Sequence, residues 1–291
     1  MALILVTAAG GKTGRHVTAA LRERGLEVRA LGRTERIHEL RGDGVETMAA
    51  DMLDAARLAD AVAGTDAVIH IGPAFHPREA ALGQAVVDAA VAAGVARFVQ
   101  FSVYHPQIEF LLNHQAKLRV EDYLVGSGLD YTILQPMHYM QNFDPAQIAR
   151  DGVLRLQYSL ATRLAFVDLA DVAEVAARVV SESGHGCATY PLCGSDALSG
   201  EDIVRIISEA AGAAVAGEQV AIGDFIAAIS EHHALPRHTV DGLYRLFTYY
   251  GLHGISGNPN VLRWLLGREP TTFEGYVERT LAHDSDAART G

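Results

Sequence analysis

The feature that most constrains this fold is a glycine-rich turn near the N-terminus, placed between a short apolar segment and a helical pattern. Leu3 to Val6 is an apolar run of the kind that forms a buried parallel strand. The helical pattern after the turn ends at Gly25, and Val28 to Leu31 predicts a second strand. This order predicts a strand–helix–strand unit of about the minimum length.

The turn itself has the chemistry of an anion site. A side chain there would hold the backbone away from a pyrophosphate, whereas the exposed N–H groups and the dipole of the following helix favour negative charge. The spacing is A-x-x-G-x-x-G over Ala8, Gly11 and Gly14, not G-x-G-x-x-G. A plain tight turn is the alternative, but the position between strand and helix favours a dinucleotide site. The residues assigned to it are Thr7, Ala8, Ala9, Gly10, Gly11, Lys12, Thr13 and Gly14.

Further apolar segments continue the alternation of strands and helices. Four more strands are predicted, at Val45–Ala50, Ala67–Ile71, Arg97–Ser102 and Tyr131–Leu134. Helices are predicted between them, including Ala80–Ala93 and Gln115–Val125. The sequence therefore predicts the α/β class, with a doubly wound parallel sheet in the strand order 3-2-1-4-5-6.

The regular alternation of predicted strands and helices stops after Pro136. We predict a dinucleotide-binding domain over residues 1–150, with late elements near 165–195 packing back on its sheet. Residues 151–291 are predicted to form a smaller, mostly helical substrate lobe. One of its helices is expected after Ser199-Gly-Glu-Asp202, which has the pattern of a capping box.

Composition limits the classes of partner. The net charge of −11 argues against a nucleic-acid backbone or an anionic membrane surface, and no apolar run approaches the length of a membrane span. Cys187 and Cys193 match no zinc motif and are interpreted as core thiols in a reducing cytoplasm. The histidines are scattered, so no metal site is predicted. The expected partner is a small molecule, and the oligomeric state stays open, a homodimer included.

Ligands of a doubly wound sheet lie outside the carboxyl ends of the strands. Arg33 ends strand two, where an arginine suits the 2′-phosphate of NADP(H) better than the ribose of NAD(H); a solvated arginine is the alternative. Lys12 could add a second positive charge. Asp51 and Met52 follow strand three and could contact adenine, although Asp51 could instead cap a helix. Other strand-end candidates for cofactor contact are Gly72, Pro73, Pro136 and Tyr139.

Several segments together resemble the NmrA-like family of atypical short-chain dehydrogenase/reductases. They are Thr7–Gly14, Arg33, Asp51-Met52, Phe98–Ser102, NHQAKLRVEDYL, Leu129–Phe143, Ala165–Ala176 and Gly257–Phe273. The turn is similar to the T-G-x-x-G-x-x-G turn of that superfamily, with Ala8 in place of the first glycine. The resemblance implies a Rossmann domain that binds NADP(H) or NAD(H), with a smaller lobe over the nicotinamide end. It also implies one of two activities: reduction of quinones, imines or unsaturated carbonyls, or redox sensing.

The resemblance also implies a catalytic set, from which this chain departs at one position. The superfamily uses a serine after strand five and Tyr-x-x-x-Lys on the next helix. Ser102 and Lys117 match, and Lys117 would bind the nicotinamide ribose, but the tyrosine position is Asn113. An amide cannot donate a proton of matched pKa, so Tyr104 is the substitute candidate. A surface Lys117 pairing with Glu121 is the alternative.

Substrate contacts are predicted nearby in the sequence, at His105, His138, Tyr139, Asn142 and Phe143. The favoured hypothesis is an NADP(H)-dependent oxidoreductase that transfers hydride to a flat, conjugated carbonyl or quinone. A quinone needs little acid catalysis because its product oxyanion is delocalised, which tolerates Asn113. The alternative hypothesis is a cofactor-binding redox sensor without turnover.

Overall fold

The computed structural model describes residues 2–194, 197–231 and 234–290. Contacts within the chain divide it into two compact units. The first unit comprises the chain up to Pro136 together with Leu169–Pro191. The second unit comprises Met137–Asp168 and the chain from Leu192 onward.

Strands and helices alternate along the first part of the chain. A 3-10 helix at Glu35–Leu40 lies between the second and third strands. The elements are β1 (Leu3–Val6), α1 (Lys12–Glu23), β2 (Glu27–Gly32), β3 (Val45–Ala49), α2 (Ala55–Val62), β4 (Ala67–Ile71), α3 (Glu79–Ala93), β5 (Arg97–Phe101), α4 (Leu112–Val125) and β6 (Tyr131–Pro136).

The remaining elements are shorter strands and a run of helices. They are β7 (His138–Tyr139), α5 (Pro145–Asp151), β8 (Val153–Leu156), β9 (Phe166–Val167), α6 (Leu169–Ser181), β10 (Ala188–Leu192), α7 (Gly200–Ala211), β11 (Ala216–Gln219), α8 (Ile222–Ser230), α9 (Arg237–His253), α10 (Asn260–Leu266) and α11 (Phe273–Thr290).

The main sheet of the described chain runs β3-β2-β1-β4-β5-β6-β10. The strands from β1 to β6 pair in parallel, so the predicted doubly wound sheet and its order 3-2-1-4-5-6 are confirmed. All five residues of β4 are buried, as a strand covered by helices on both faces requires. Helix α1 buries Val17 and Leu21 and packs on α6.

The second unit contains helices α5 and α7 to α11, which agrees with the mostly helical prediction. Ser199 and Asp202 form the predicted capping box of α7. Two small sheets, β8 with β11 and β7 with β9, were not predicted. They escape sequence patterns because β7 and β9 span two residues each and every residue of β11 is exposed.

Two further observations concern expectations from composition. Cys193 is buried, but Cys187 is exposed, so the prediction that both are core thiols is wrong for Cys187. Cys187 lies just before β10, outside the strand that would have buried it. Within the described residues, no helix combines the length and apolar character needed to cross a bilayer.

Candidate functional site

The glycine-rich turn brings α1 unusually close to the preceding backbone. A Cβ atom on Gly14 would lie 2.5 Å from the Cα of Ala9 and 2.6 Å from the carbonyl oxygen of Ala8, so only glycine fits there. Gly11 is the N-cap of α1, with no side chain bonded to the first amides and no acidic residue in the first turn. The start of α1 therefore carries no competing negative charge, which suits the anion site predicted for Thr7 to Gly14.

Ala8 occupies the position at which the superfamily turn has its first glycine. Its φ angle is +48°, in the left-handed region where a Cβ atom is unfavourable. The turn is held by hydrogen bonds from the Ala9 amide to the Leu31 carbonyl (3.0 Å) and from the Gly11 amide to the Ala8 carbonyl (3.0 Å). The alanine therefore adopts the glycine conformation because the surrounding backbone fixes it.

A cavity of about 430 Å³ lies beside this turn and is called here the Arg33 cavity. Three arginines line it, Arg15, Arg33 and Arg36. Glu39 lies 3.8 Å from Arg15 and 3.7 Å from Arg36, whereas Arg33 makes no ion pair with any described residue. Lys12 does not line this cavity. The cations gathered around the predicted ribose site are thus arginines, two of which sequence reasoning missed.

A second cavity of about 270 Å³ shares Ala8, Gly32 and Arg33 with the first and is called here the Asp51 cavity. It also contains Asp51 and Met52, the residues predicted to contact adenine, together with Leu31 and Leu82. Pro73, predicted as a contact at the nicotinamide end, lines this cavity as well. Asp51 is not the cap of α2, because Asp54 fills that position and accepts from the Arg57 amide. His76 and Arg78 also line this cavity and were not predicted.

Lys117 lies in a buried polar cluster. Its Nζ atom is 3.1 Å from Oε1 of Glu79, and both side chains are at least nine-tenths buried. A Cβ atom on Gly72 would lie 3.0 Å from that Nζ atom and 3.6 Å from Nε2 of His70. Gly72 and Lys117 are therefore brought together as predicted. The alternative, a surface ion pair between Lys117 and Glu121, does not form, because Lys117 is buried and pairs with Glu79.

Glu121 extends the cluster from the next turn of α4. Its carboxylate accepts two hydrogen bonds from the Gln135 amide, at 3.0 and 3.1 Å. Burial raises the pKa of Glu121, while Ser102, Gln135 and the Lys117 charge act in the opposite direction. The Ser102 hydroxyl is buried without a hydrogen bond of ordinary geometry, although its dipole still favours the ionised Glu121. The Ser102 hydroxyl therefore lies beside the Glu121 carboxylate.

The other two predicted catalytic residues are Asn113, on α4, and Tyr104, in the loop between β5 and α4. Asn113 is four residues before Lys117 on α4, which places both on one helix face, and its Oδ1 atom is buried without a partner. The backbone amide of Tyr104 donates to the carbonyl of Pro136 (2.9 Å). The Tyr104 ring is buried against the ring of His105, whose carbonyl accepts from His114 (2.9 Å).

His70 was not predicted, yet it joins the cluster to the glycine-rich turn. Its Nδ1 atom lies 3.0 Å from the Thr7 hydroxyl, and that hydroxyl also bonds the Ile71 backbone. The Thr7 hydroxyl therefore ties His70 to the backbone at the end of β4. Burial, aided by the Lys117 charge, lowers the pKa of His70 to about 3. His70 is therefore neutral at physiological pH.

The predicted substrate residues after β6 belong to the second unit. His138, Asn142 and Phe143 line a cavity of about 410 Å³, called here the Tyr158 cavity. Tyr139 does not line it and instead pairs with Val167 between β7 and β9. In the described part of the chain, no group of three or more His, Cys, Asp or Glu side chains could hold a metal ion.

Comparisons with known proteins give consistent matches over most of the chain. A model of the NmrA-like family matches residues 1–284. The NAD(P)H azoreductase of Xenophilus azovorans is 27% identical over 279 residues, which is 95% of this chain and 97% of that protein. The (4-alkanoyl-5-oxo-2,5-dihydrofuran-3-yl)methyl phosphate reductase of Streptomyces griseus subsp. griseus is 32% identical over 227 residues, 76% of this chain and 78% of that protein.

A solved structure is similar over nearly the same length. The NADPH-dependent quinone oxidoreductase of Escherichia coli, crystallised with NADPH, superposes with a TM-score of 0.81 at 26% identity. The match covers 96% of this chain and 99% of that one.

The buried neutral histidine predicts a pH dependence of stability. Below about pH 6.5 the unfolded chain binds a proton at His70 that the folded chain does not bind until about pH 3. The free energy of unfolding should therefore fall by about 1.4 kcal/mol per pH unit from this residue as the pH decreases through that window. Urea unfolding between pH 6.5 and 4.5 should show a shallower dependence in His70→Gln than in wild type. His253→Gln, at an exposed site, should match wild type, and equal slopes for all three proteins would contradict the assignment.

Proposed function

Because this chain belongs to the NmrA-like family, whose model matches residues 1–284, we propose that it is an NAD(P)H-dependent oxidoreductase. The observation that carries the proposal is the glycine-rich N-terminus of α1, which has no side-chain cap and no acidic residue in its first turn, beside two cavities that share Arg33. Its proposed acceptor is a quinone or a conjugated carbonyl compound, and its proposed location is the cytoplasm. The Arg33 and Asp51 cavities supply the cofactor side of this proposal.

The residues of the first unit fit a dinucleotide in three parts. The N-terminus of α1 would hold the pyrophosphate, and the Asp51 cavity, with Met52 and Leu82, would hold adenine. Arg33, which borders both cavities, would contact the adenosine ribose or its 2′-phosphate. When bound, the reduced nicotinamide supplies the hydride.

The preference for NADP(H) rests on charge. Arg33 has no carboxylate partner among the described residues, and Arg15 and Arg36 share one, Glu39. The Arg33 cavity thus has more positive than negative side chains, which suits a phosphate better than a neutral ribose hydroxyl. Arginine is also the residue whose geometry best matches phosphate oxygens.

Lys117 is proposed to hold the nicotinamide ribose, with Glu79 as its positioning partner. A buried ammonium needs a counter-charge, and Glu79 supplies one at 3.1 Å. The Lys117 ammonium has three protons, so pairing with one carboxylate oxygen leaves others for a ligand. Pro136 and Gly72, at the ends of β6 and β4, complete the proposed cofactor contacts of this region.

The proposed acceptor follows from Asn113, which stands at the tyrosine position and has no acidic proton. Ser102 and Asn113 would orient the acceptor oxygen by hydrogen bonds, but neither has a proton of matched pKa. A quinone product needs no such proton, and two relatives support this class. One is named as a quinone oxidoreductase, and the other acts on a compound whose name describes an alkanoyl group on an unsaturated oxo-furan ring.

Other proposed contacts are less central. Tyr104 is the candidate proton donor for substrates that need one, and His105 and Tyr139 are candidate substrate contacts. His138, Asn142 and Phe143 would contact substrate through the Tyr158 cavity. A redox sensor without turnover is the second candidate, which Asn113 in place of tyrosine favours.

The experiment that tests the function measures NADPH oxidation with quinones, enones and a simple ketone, alongside NADPH binding. We expect turnover with quinones, and Tyr104→Phe should leave that rate nearly unchanged. Any turnover of the ketone should fall strongly in the same variant, because the alkoxide needs a proton. Tight NADPH binding without turnover of any acceptor would favour the sensor, and equal small effects on both substrates would exclude Tyr104 as the acid.

The cofactor preference has its own test at Arg33. Arg33→Ala should lower the ratio of NADPH to NADH affinity by about tenfold or more, as loss of a charge-assisted contact does. Binding of each cofactor is measured by calorimetry. Arg237→Ala, on the exposed start of α9, is the matched control. An unchanged ratio in Arg33→Ala would remove the basis for NADP(H) preference.

Lys117 and Glu79 are tested as a pair. Lys117→Met should weaken NADPH binding and turnover, and it should also destabilise the fold by about 3 kcal/mol because Glu79 is left buried without a counter-charge. The double variant Lys117→Met/Glu79→Gln should recover stability in thermal unfolding but not NADPH affinity. Recovery of NADPH affinity in the double variant would show that Lys117 acts on the fold alone.

A further inference from the structure

The Tyr158 cavity of the second unit has a strongly aromatic and aliphatic lining. Phe225 on α8 and Phe247 on α9 form an edge-to-face pair with ring centroids 5.4 Å apart, at 85°. Leu154 and Leu156 of β8 contribute buried aliphatic side chains, and Phe143 adds a third phenyl ring. Its volume of about 410 Å³ falls in the range of small-molecule sites.

One polar side chain in this lining lacks a partner. Tyr158 is 5% exposed, and its hydroxyl makes no hydrogen bond to any described residue. The two other buried tyrosines of the described second unit are paired: Tyr250 contacts Nδ1 of His138 at 3.4 Å, and Tyr276 donates to the Phe143 carbonyl at 2.7 Å. Tyr158 lines the cavity, so its hydroxyl is a donor that a ligand in the cavity can use.

The charges around the cavity favour an uncharged ligand. Arg155 pairs with Glu218 at 3.1 Å, and Asp144 caps α5 by accepting from the Gln147 amide at 3.0 Å. Both charged lining residues are thus engaged within the protein. Burial also raises the pKa of Tyr158, so its hydroxyl stays protonated and acts as a donor.

We infer that the Tyr158 cavity binds an uncharged, planar aromatic carbonyl compound of about two fused rings. The rings pack against Phe225, Phe247 and the leucines of β8, and the carbonyl oxygen accepts a hydrogen bond from Tyr158. The binding itself follows from this cavity alone.

The test uses two probes that differ in the carbonyl oxygen, 2-acetylnaphthalene and 2-ethylnaphthalene, titrated calorimetrically into the full chain without NADPH. Tyr158→Phe should weaken binding of 2-acetylnaphthalene about three- to tenfold and leave 2-ethylnaphthalene unchanged, since one neutral hydrogen bond is removed. Tyr244→Phe, at an exposed tyrosine of α9, should change neither.

A second variant guards against a folding defect at Tyr158. Phe247→Leu should weaken both probes by a similar factor, because it removes an aromatic contact that both use. Absence of binding to wild type, or binding that neither Tyr158→Phe nor Phe247→Leu changes, would overturn the inference. NADPH turnover of quinones separates the two claims: turnover without probe binding overturns this inference alone, and probe binding without turnover supports it while the proposed function fails.

Discussion

The close approach of α1 to the turn at Ala8 and Ala9 is the constraint on which the first unit depends. Because a Cβ atom on Gly14 would collide with backbone atoms that cannot move independently, this position accepts only glycine. The approach places the N-terminus of α1 at the carboxyl end of β1. Ala8 lines both cavities, so this packing contact lies at the proposed anion site and at the space around it.

A second constraint is electrostatic. The Lys117 ammonium lies 3.1 Å from the Glu79 carboxylate. The Glu121 carboxylate and the neutral His70 ring are also in the cluster. Removing such charges from water costs several kcal/mol per ion, so the cluster is not explained by stability. The cluster instead fixes where the Lys117 Nζ atom lies. Glu79 holds this atom at 3.1 Å, and Gly72, which has no side chain, leaves room for it. Buried charged groups with specific charge partners cluster at functional sites, which supports the proposed role of Lys117.

The strands of the first unit could be predicted from the sequence because turn-forming residues mark where many of them end. Glycines and prolines stand at the ends of apolar runs, and β1 and β4 have the predicted limits. Glu79 was missed because it precedes the alanine-rich pattern and looks like a solvated first residue of α3. Its burial is decided by Lys117, 38 positions further along the chain, and no local pattern carries that information. Arg15 and Arg36 were missed for the same reason, since only the folded turn brings them to Arg33.

The departures from the superfamily pattern have different physical consequences. Ala8 keeps the glycine conformation at a cost of about 1–2 kcal/mol, so the backbone geometry of the anion site survives the substitution. Asn113 keeps a polar group on the face of Lys117 but removes the ionisable hydroxyl, so the chemistry does not survive it. Under the proposed function, a site with this cofactor geometry and no proton donor at that position favours acceptors that need none. The Tyr158 cavity, described by itself, offers an aromatic lining and a hydroxyl donor, which is the chemistry that our inference assigns to an uncharged aromatic carbonyl ligand.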